Sequence, residues 1–473
     1  MTKRYAQFLV FVTSGAVLVL EILAGRLMAP YVGVSLETFT GIIGTILAGI
    51  AFGSAVGGLL ADRNDPNRMI GPSLIGGGIL SWLAIPVVSA LGPGVGGTVT
   101  GIIVLAFFGF FAPAMVLSAI GPMVAKLRLQ TLDETGEVVG GLSAAGTVGA
   151  LVGTFVTGFV LVSAAPTRPI IIAVGLVLVA MGIAHMVRRG GEWPSAGAAA
   201  VGVVALGLGV VVGGPCEFES AYSCGQIVTD DEDESVRFLI LDTSRHGAVD
   251  LDDPTHLEFR YINIFGDTID AMADGPVDVL HVGGGAFSMP LYINATRPGS
   301  THLVLEIDPV LVDVARDQLG LVTGPNLEVR TGDARLALAD LPDDSFDLII
   351  GDAFSGLVVP WHLTTTEFVA ELDRVLRPDG LYVMNAVDGK GNGFVEAQLA
   401  TLNAHFDQLA VVVPQEWPTN RIVNQVLLAS DQPLPDVRVA AEHGMLVDDV
   451  VAFMDGAEVL RDDFAPVEQL IAR

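Results

Sequence analysis

Gly283-Gly284-Gly285 closes the apolar run 277–282, and the next apolar run closes on Glu306-Ile307-Asp308. A strand that ends in consecutive glycines lets backbone approach a ligand closely, because no Cβ stands in the way. An acid at the tip of the neighbouring strand can accept hydrogen bonds from both hydroxyls of a ribose. Two further apolar runs finish in the same manner, in Gly332-Asp333-Ala334 and in Gly351-Asp352-Ala353-Phe354-Ser355. Four successive run ends, each delivering a glycine turn or a carboxylate, describe a nucleoside pocket for an adenosine-type ligand. The loop has no Walker lysine, which disfavours a nucleoside triphosphate, and no spaced G-x-G-x-x-G, which argues against a dinucleotide.

Those run ends need elements to hold them. From residue 277 onward strand-like stretches (277–282, 302–307, 327–331, 346–351, 380–386, 409–414 and 422–428) alternate with helical ones, as at 309–319 and 365–376. The alternation predicts a doubly wound, mostly parallel sheet whose ligands bind at the carboxyl ends of its strands. Ahead of it, the segment 227–265 reads as short strands at 226–229, 236–241 and 247–251, with a turn at Asp252-Asp253-Pro254, and so as a small β-subdomain.

The preceding half is of another kind. Hydrophobic residues make up 51% of the chain, charged residues 16%, and the mean hydropathy is +0.59, well to the apolar side of a soluble average. Seven runs, 8–28, 39–60, 69–91, 98–124, 138–162, 170–187 and 196–212, are long enough to cross a bilayer. The first is no cleavable signal peptide, since six more follow it. Glycines spaced as in Gly53-Ser54-Ala55-Val56-Gly57-Gly58 and Gly146, Gly149 and Gly153 read as close helix packing rather than a substrate path. With the N-terminus inside, Lys3, Arg4, Arg63, Arg68, Lys126, Arg128, Arg188 and Arg189 face the cytoplasm, against Arg26 and Arg168 on the other side. Seven crossings then put everything after residue 212 on the outer face of the cell membrane, where the pair Cys216 and Cys224 is expected to form a disulfide. Glu21 and Arg26 in the first run are candidates for an intramembrane role, though five residues apart they sit on different parts of a helix surface.

Beyond residue 216 the balance turns acidic: 45 of the 53 acids lie there with 14 of the 24 basic residues, so this half carries essentially all of the net charge of −29. Such a surface repels phosphate backbones and argues against a nucleic-acid partner. Asp230-Asp231-Glu232-Asp233-Glu234 reads as a solvated loop without calcium-loop spacing, and no metal site is expected.

In order, Gly283-Gly284-Gly285, Leu305-Glu306-Ile307-Asp308, Gly332-Asp333-Ala334, Asp352 and Leu376-Arg377-Pro378-Asp379-Gly380 resemble the spermidine synthase (polyamine aminopropyltransferase) family, a branch of the class I S-adenosylmethionine-dependent transferase fold. The resemblance covers about residues 219–428, including 219–222 and 251–261, which look like that family's N-terminal strands. The whole chain resembles its membrane-fused members. It implies decarboxylated S-adenosylmethionine as the ligand and a small-molecule amine as acceptor. Glu306 would hold the ribose hydroxyls, Asp333 and Ala334 the adenine, with Gly283, Gly284, Gly285 and Asp308 around the same ligand. Asp352 would stand beside the reacting amine, with Tyr222, Tyr261 and Ser355 on the substrate side. The chemistry is displacement at a carbon next to a sulfonium, which needs the amine deprotonated and aligned; an acidic pocket favours a polycation.

The sequence also departs from the family. Where the family's glycine loop continues with an aspartate that holds the aminopropyl amine, this chain has Ala286, followed by Phe287, Ser288 and Met289. Ser355 stands where a second aspartate follows the catalytic one, and Tyr261-Ile262-Asn263 replaces Tyr-His-Glu. Each lost amine-binding carboxylate removes a charge-assisted contact worth roughly 1.5–3 kcal/mol.

The expected architecture is a multi-pass α-helical membrane bundle of seven helices (1–214), a small β-subdomain (215–265) and an α/β class I, Rossmann-like S-adenosylmethionine-transferase domain (266–473). Three functions fit it: an aminopropyl transferase, a methyltransferase using intact S-adenosylmethionine, and a non-catalytic polyamine or nucleoside-binding module coupled to a transporter-like bundle. The lipid bilayer is the expected surrounding of the first half, and a homodimer is compatible with each function.

Overall fold

In hydrocarbon every backbone polar group must be satisfied within the chain, so long apolar runs become helices. A computed structural model describes residues 1–129, 135–189, 195–415, 422–436 and 443–471, which divide into two compact units, Met1–Gln226 and Ile227–Arg473. Six helices of the first unit, Lys3–Val32, Leu36–Arg63, Pro66–Val95, Val99–Arg128, Thr135–Ala164 and Thr167–Arg188, are long and apolar enough to cross a membrane. They fit a multi-pass membrane protein. The seventh expected span is a shorter helix, Ala196–Val211, of 16 residues. At 1.5 Å per residue it reaches about 24 Å, short of the ~30 Å hydrocarbon layer, so the described residues hold six full-length helices rather than seven.

Side-chain oxygens at Thr2, Ser35, Asp65 and Thr98 accept from first-turn backbone amides and set where four of these helices begin. The glycines set how closely they pack. A Cβ at Gly53 would stand 2.1 Å from the Met115 carbonyl oxygen, one at Gly57 2.4 Å from that of Ala119, and one at Gly149 2.1 Å from that of Phe11, whereas Gly58 has nothing within 4 Å. Gly53→Ala is therefore expected to lower the melting temperature of the detergent-solubilised protein, since overpacking costs roughly 1–3 kcal/mol. Gly58→Ala raises it slightly through helix propensity, and equal effects at the two sites would refute the packing role.

Arg26 pairs with Glu219 rather than Glu21. Its Nη2 lies 3.3 Å from Glu219 Oε1, and the guanidinium also donates to the carbonyls of Ser220 and Ala221. The Thr167 backbone N–H donates to the same carboxylate at 3.1 Å. Glu219 belongs to strand β1 (Phe218–Glu219), which pairs with β2 (Cys224–Thr229) in the register Phe218↔Gly225 and Glu219↔Cys224. The Cys216–Cys224 disulfide closes this hairpin. Arg26 thus ties the hairpin to the ends of two helices. Tyr222, expected on the substrate side, lies exposed in the hairpin turn, its backbone N–H donating to Ser220 Oγ at 3.0 Å.

The second unit contains an antiparallel hairpin of β3 (Val236–Leu241) and β4 (Ser244–Asp250). Residues 260–265, read as the end of a strand-rich segment, instead open the helix Arg260–Asp270. Tyr261, Ile262, Phe265 and Ile269 are buried along one face of it, which is helical spacing. Then follow β5 (Asp278–Val282), β6 (Thr301–Glu306), β7 (Leu327–Thr331), β8 (Phe346–Gly351), β9 (Leu376–Asp388), β10 (Gln408–Val413), β11 (Val423–Ser430) and β12 (Met445–Leu446). They form one sheet in the order β12-β10-β11-β9-β8-β5-β6-β7. The pairs from β7 to β9 are parallel and those beyond β9 antiparallel. Leu280, Val282, Leu303, Leu305 and Ile349 pack on one face, and Val279, Leu348, Ile350, Leu381 and Val383 on the other, the period-two pattern of a sheet covered on both sides. On the face of Val279, His281 Nε2 and His302 Nδ1 meet at 3.0 Å, and burial holds His302 down to about 4 and His281 well below the ordinary range. The chain leaves β5 toward β6 on one side and returns beside it as β8 on the other, so β5 and β8 flank the switch point where α/β sheets bind ligands.

Candidate functional site

The tips of β5 and β8 are packed backbone to backbone. The Asp352 N–H donates to the Val282 carbonyl at 2.9 Å, and Gly283, with φ of +99°, leaves so little space that a Cβ would stand 2.4 Å from the Asp352 carbonyl oxygen. Gly284 is constrained by side chains: a Cβ there would stand 2.7 Å from Phe287 Cζ and 3.1 Å from Glu306 Oε2. That oxygen accepts the Gly284 N–H at 2.8 Å, while Glu306 Oε1 accepts the Asp308 N–H at 2.9 Å. Glu306 is 6% exposed. Burial pushes its carboxyl above the ordinary range, and the amides of Asp308 and Gly284 pull it partway back. One carboxylate thereby fixes both the glycine loop and the end of β6.

Asp352 is held from two sides. Tyr261 Oη donates to its Oδ2 at 3.2 Å and Asn385 Nδ2 to its Oδ1 at 2.8 Å. Burial lifts the carboxyl to about 6 against the pull of Asn385 and Tyr261, a value suited to a base working near neutrality. Behind Asn385 stands Asn424, whose Nδ2 donates to Asn385 Oδ1 at 3.0 Å, and Arg260 in turn donates to the Asn424 carbonyl at 2.6 Å. Asn385 and Asn424 escaped the sequence reading. The signal present for Asn385 was a lone amide inside the apolar run that becomes β9, 2% exposed in the fold.

The remaining candidates divide. Asp308 caps the helix Pro309–Gln318, its Oδ1 accepting from Val310 N–H at 3.0 Å. Asp333 caps Ala334–Leu338 through the amides of Arg335 and Leu336, and its Oδ2 lies 3.2 Å from His362 Nε2. Ala334 is buried at the start of that helix. Ser355 is exposed and its backbone bridges to Val358. Gly283, Gly284, Glu306, Tyr261 and Asp352 are thus linked through direct contacts along β5, β6 and β8, while Tyr222, Cys216, Cys224, Glu21 and Arg26 belong to the first unit. Among the described residues no group of three or more His, Cys, Asp or Glu could hold a metal ion.

A family model described as a methyltransferase domain matches residues 280–384. The polyamine aminopropyltransferase of Vibrio vulnificus is 32% identical over 155 residues, covering 32% of this chain and 51% of that protein. Within the second unit the chain is thus similar in sequence to a polyamine aminopropyltransferase. The chain spans about half the length of that relative. The eEF1A lysine and N-terminal methyltransferase of Danio rerio is 31% identical over 123 residues, or 24% of this chain and 18% of that one. Among solved structures, a probable spermidine synthase from Corynebacterium glutamicum aligns over 53% of this chain and 97% of its own at 25% identity, with a TM-score of 0.49. The glycine loop is shut at one point: Ala286 is 3% exposed, and a Cβ on Gly247 of β4 would come 2.5 Å from its Cβ. A carboxylate would not fit there without displacing β4.

Proposed function

We propose that the chain is a membrane-bound transferase of the spermidine synthase type, which moves an aminopropyl group from decarboxylated S-adenosylmethionine to an amine. The observation that carries this reading is Asp352, pinned by Tyr261 and Asn385 at the β8 tip and lifted to about 6, directly against a glycine loop that Glu306 holds. The sulfonium donor supplies an electrophilic carbon and a thioether leaving group. Glu306 binds it: its oxygens take the backbone amides of Gly284 and Asp308, with that of Gly285 also acting on the carboxylate, and keep lone-pair capacity for a ribose hydroxyl. Gly283 lets the loop pack against the β8 tip, where a Cβ would collide with the Asp352 carbonyl, and Gly284 leaves room for the Phe287 ring. Asp352 accepts an N–H of the attacking amine, aligns it, and takes its proton. Asp308 and Asp333 serve chiefly as helix caps, which keep the β6 and β7 tips in shape.

Methyl transfer from intact S-adenosylmethionine is the second reading, favoured by the methyltransferase match over 280–384 and by the closed space at Ala286. Calorimetry on the full chain separates the two. Decarboxylated S-adenosylmethionine is expected to bind more tightly than S-adenosylmethionine, with methylthioadenosine also binding. The reverse order would favour methyl transfer, and no affinity for any of the three would remove both.

We further propose that the shorter helix Ala196–Val211 is a seventh crossing, which with the N-terminus inside puts the residues after it on the outer side; eight basic residues against two on the two sides of the bundle and a disulfide suited to an oxidising compartment support this. After reduction, a membrane-impermeant maleimide is expected to label Cys216 and Cys224 in intact cells. Labelling confined to broken cells would reverse the orientation.

A further inference from the structure

The stretch that follows Asp352 is set apart by what it lacks. Residues 353–366 contain no acid, lysine or arginine, in a half of the chain that carries 45 of its 53 acids. The Ser355 N–H donates to the Val358 carbonyl at 2.8 Å and Gly356 takes a φ of +65°, so 355–358 close a tight turn. Val359 and Leu363 are buried in the core, with Phe354 and Val358 packed against it. That anchoring leaves two large apolar side chains outside: Leu357 is 49% exposed and Trp361 51%.

Among the described residues, three carboxylates on elements that adjoin the turn are already bonded. Asp333 caps a helix and faces His362. Asp462 binds Arg335 at 2.6 Å and Thr365 at 2.8 Å. Asp388, at the β9 end, accepts the backbone amides of Gly389, Phe394 and Val395. A second ammonium of a diamine that reached this turn would find no carboxylate supplied by it and would lose water against Leu357 and Trp361 without gaining a partner. An alkyl or aromatic tail would gain by covering the same side chains.

We propose that the acceptor is a primary amine borne on an apolar body, with Leu357 and Trp361 seating that body while Asp352 takes the amine. This rests on the transferase reading above. In the step, the amine nitrogen lone pair forms the new C–N bond and the C–S bond breaks. The sulfur keeps the electron pair and leaves as neutral methylthioadenosine, and the ammonium proton passes to Asp352. The amine could be a free amphiphile or a lipid headgroup, which share this chemistry.

The test uses the full chain in nanodiscs with decarboxylated S-adenosylmethionine, following methylthioadenosine release. n-Octylamine is expected to exceed 1,4-diaminobutane in kcat/KM by at least about tenfold. Release in nanodiscs of phosphatidylethanolamine without added amine identifies the lipid as the source, and release only with octylamine identifies the free amphiphile. Leu357→Asp and Trp361→Lys replace exposed side chains and leave the core intact. Leu357→Asp is expected to raise the octylamine KM by roughly tenfold and to improve diaminobutane, whereas Trp361→Lys worsens both. Methylthioadenosine binding with diaminobutane preferred overturns this inference alone. Absence of methylthioadenosine binding overturns the transferase reading and this inference with it.

Discussion

Calorimetry on Glu306→Ala is expected to show methylthioadenosine affinity lowered by at least about a hundredfold. Two hydrogen bonds from ribose hydroxyls to an ionised carboxylate are worth roughly 1.5–3 kcal/mol each, and every 1.4 kcal/mol is about a factor of ten in affinity. The loss compounds, because the same carboxylate accepts the Gly284 and Asp308 amides. Without it a loop with Gly283 at +99° and Gly285 at +51° loses the tie that keeps it in the left-handed region. Glu306→Gln separates the two contributions. It keeps the shape but turns a donor toward one of those amides, so it binds more weakly than the parent and folds less stably by about 1–3 kcal/mol. An affinity for Glu306→Ala within about threefold of the parent would strip the residue of its role and take the nucleoside pocket with it.

Asp352→Asn is expected to slow turnover by about 10²–10⁴-fold, the usual worth of a positioned base, with donor affinity preserved. The pH dependence gives an independent readout. Only the ionised carboxylate can accept a proton, so the parent's rate is expected to fall as the pH drops through about 6, and this limb disappears in the variant. Stability should move the other way. Burial raises the folded-state value from 3.8 to about 6, so the favourable contribution of the protonated carboxyl is complete below 3.8 and lost as pH rises through 6. At pH 7 the variant sheds a buried charge but turns an amide N–H toward Tyr261 or Asn385, so its melting temperature is expected to stay close to the parent's. Unchanged turnover would end the catalytic assignment, and lost turnover with a collapsed melting temperature would mark Asp352 as structural.

The glycine loop, Glu306 and Asp352 were legible in the sequence because each stands at the end of an apolar run, and a strand end is a local feature. Asp308 and Asp333 shared that placement. Each also immediately precedes a helix, and the fold uses both as caps, so one position served two readings. The helix Arg260–Asp270 straddles the boundary placed at residue 265 between the β-subdomain and the α/β domain; burial of Tyr261, Phe265 and Ile269 on one face shows its helical period. The glycine stripes were read correctly as packing, since Gly53, Gly57 and Gly149 each face a neighbouring backbone. The seventh run, 196–212, is a helix over Ala196–Val211, the shortest of the seven runs in the sequence and the only one that falls below full membrane-spanning length among the described residues.

By itself the sequence determined the apolar membrane-type half, the alternating α/β half, and the carboxylates at strand tips, because hydropathy, period and turn residues act over a few neighbours. Tertiary structure decided the partners. Sheet order sets β8 beside β5, which brings Asp352 against Gly283; β9 and β11 lie side by side, which carries Asn424 to Asn385 and Asn385 to Asp352. Arg26 finds Glu219 instead of the nearer Glu21 by the same cause. A polar group's partner depends on which segments become neighbours in space, and burial then enforces the pairing, because an unpaired charge or amide away from water is costly.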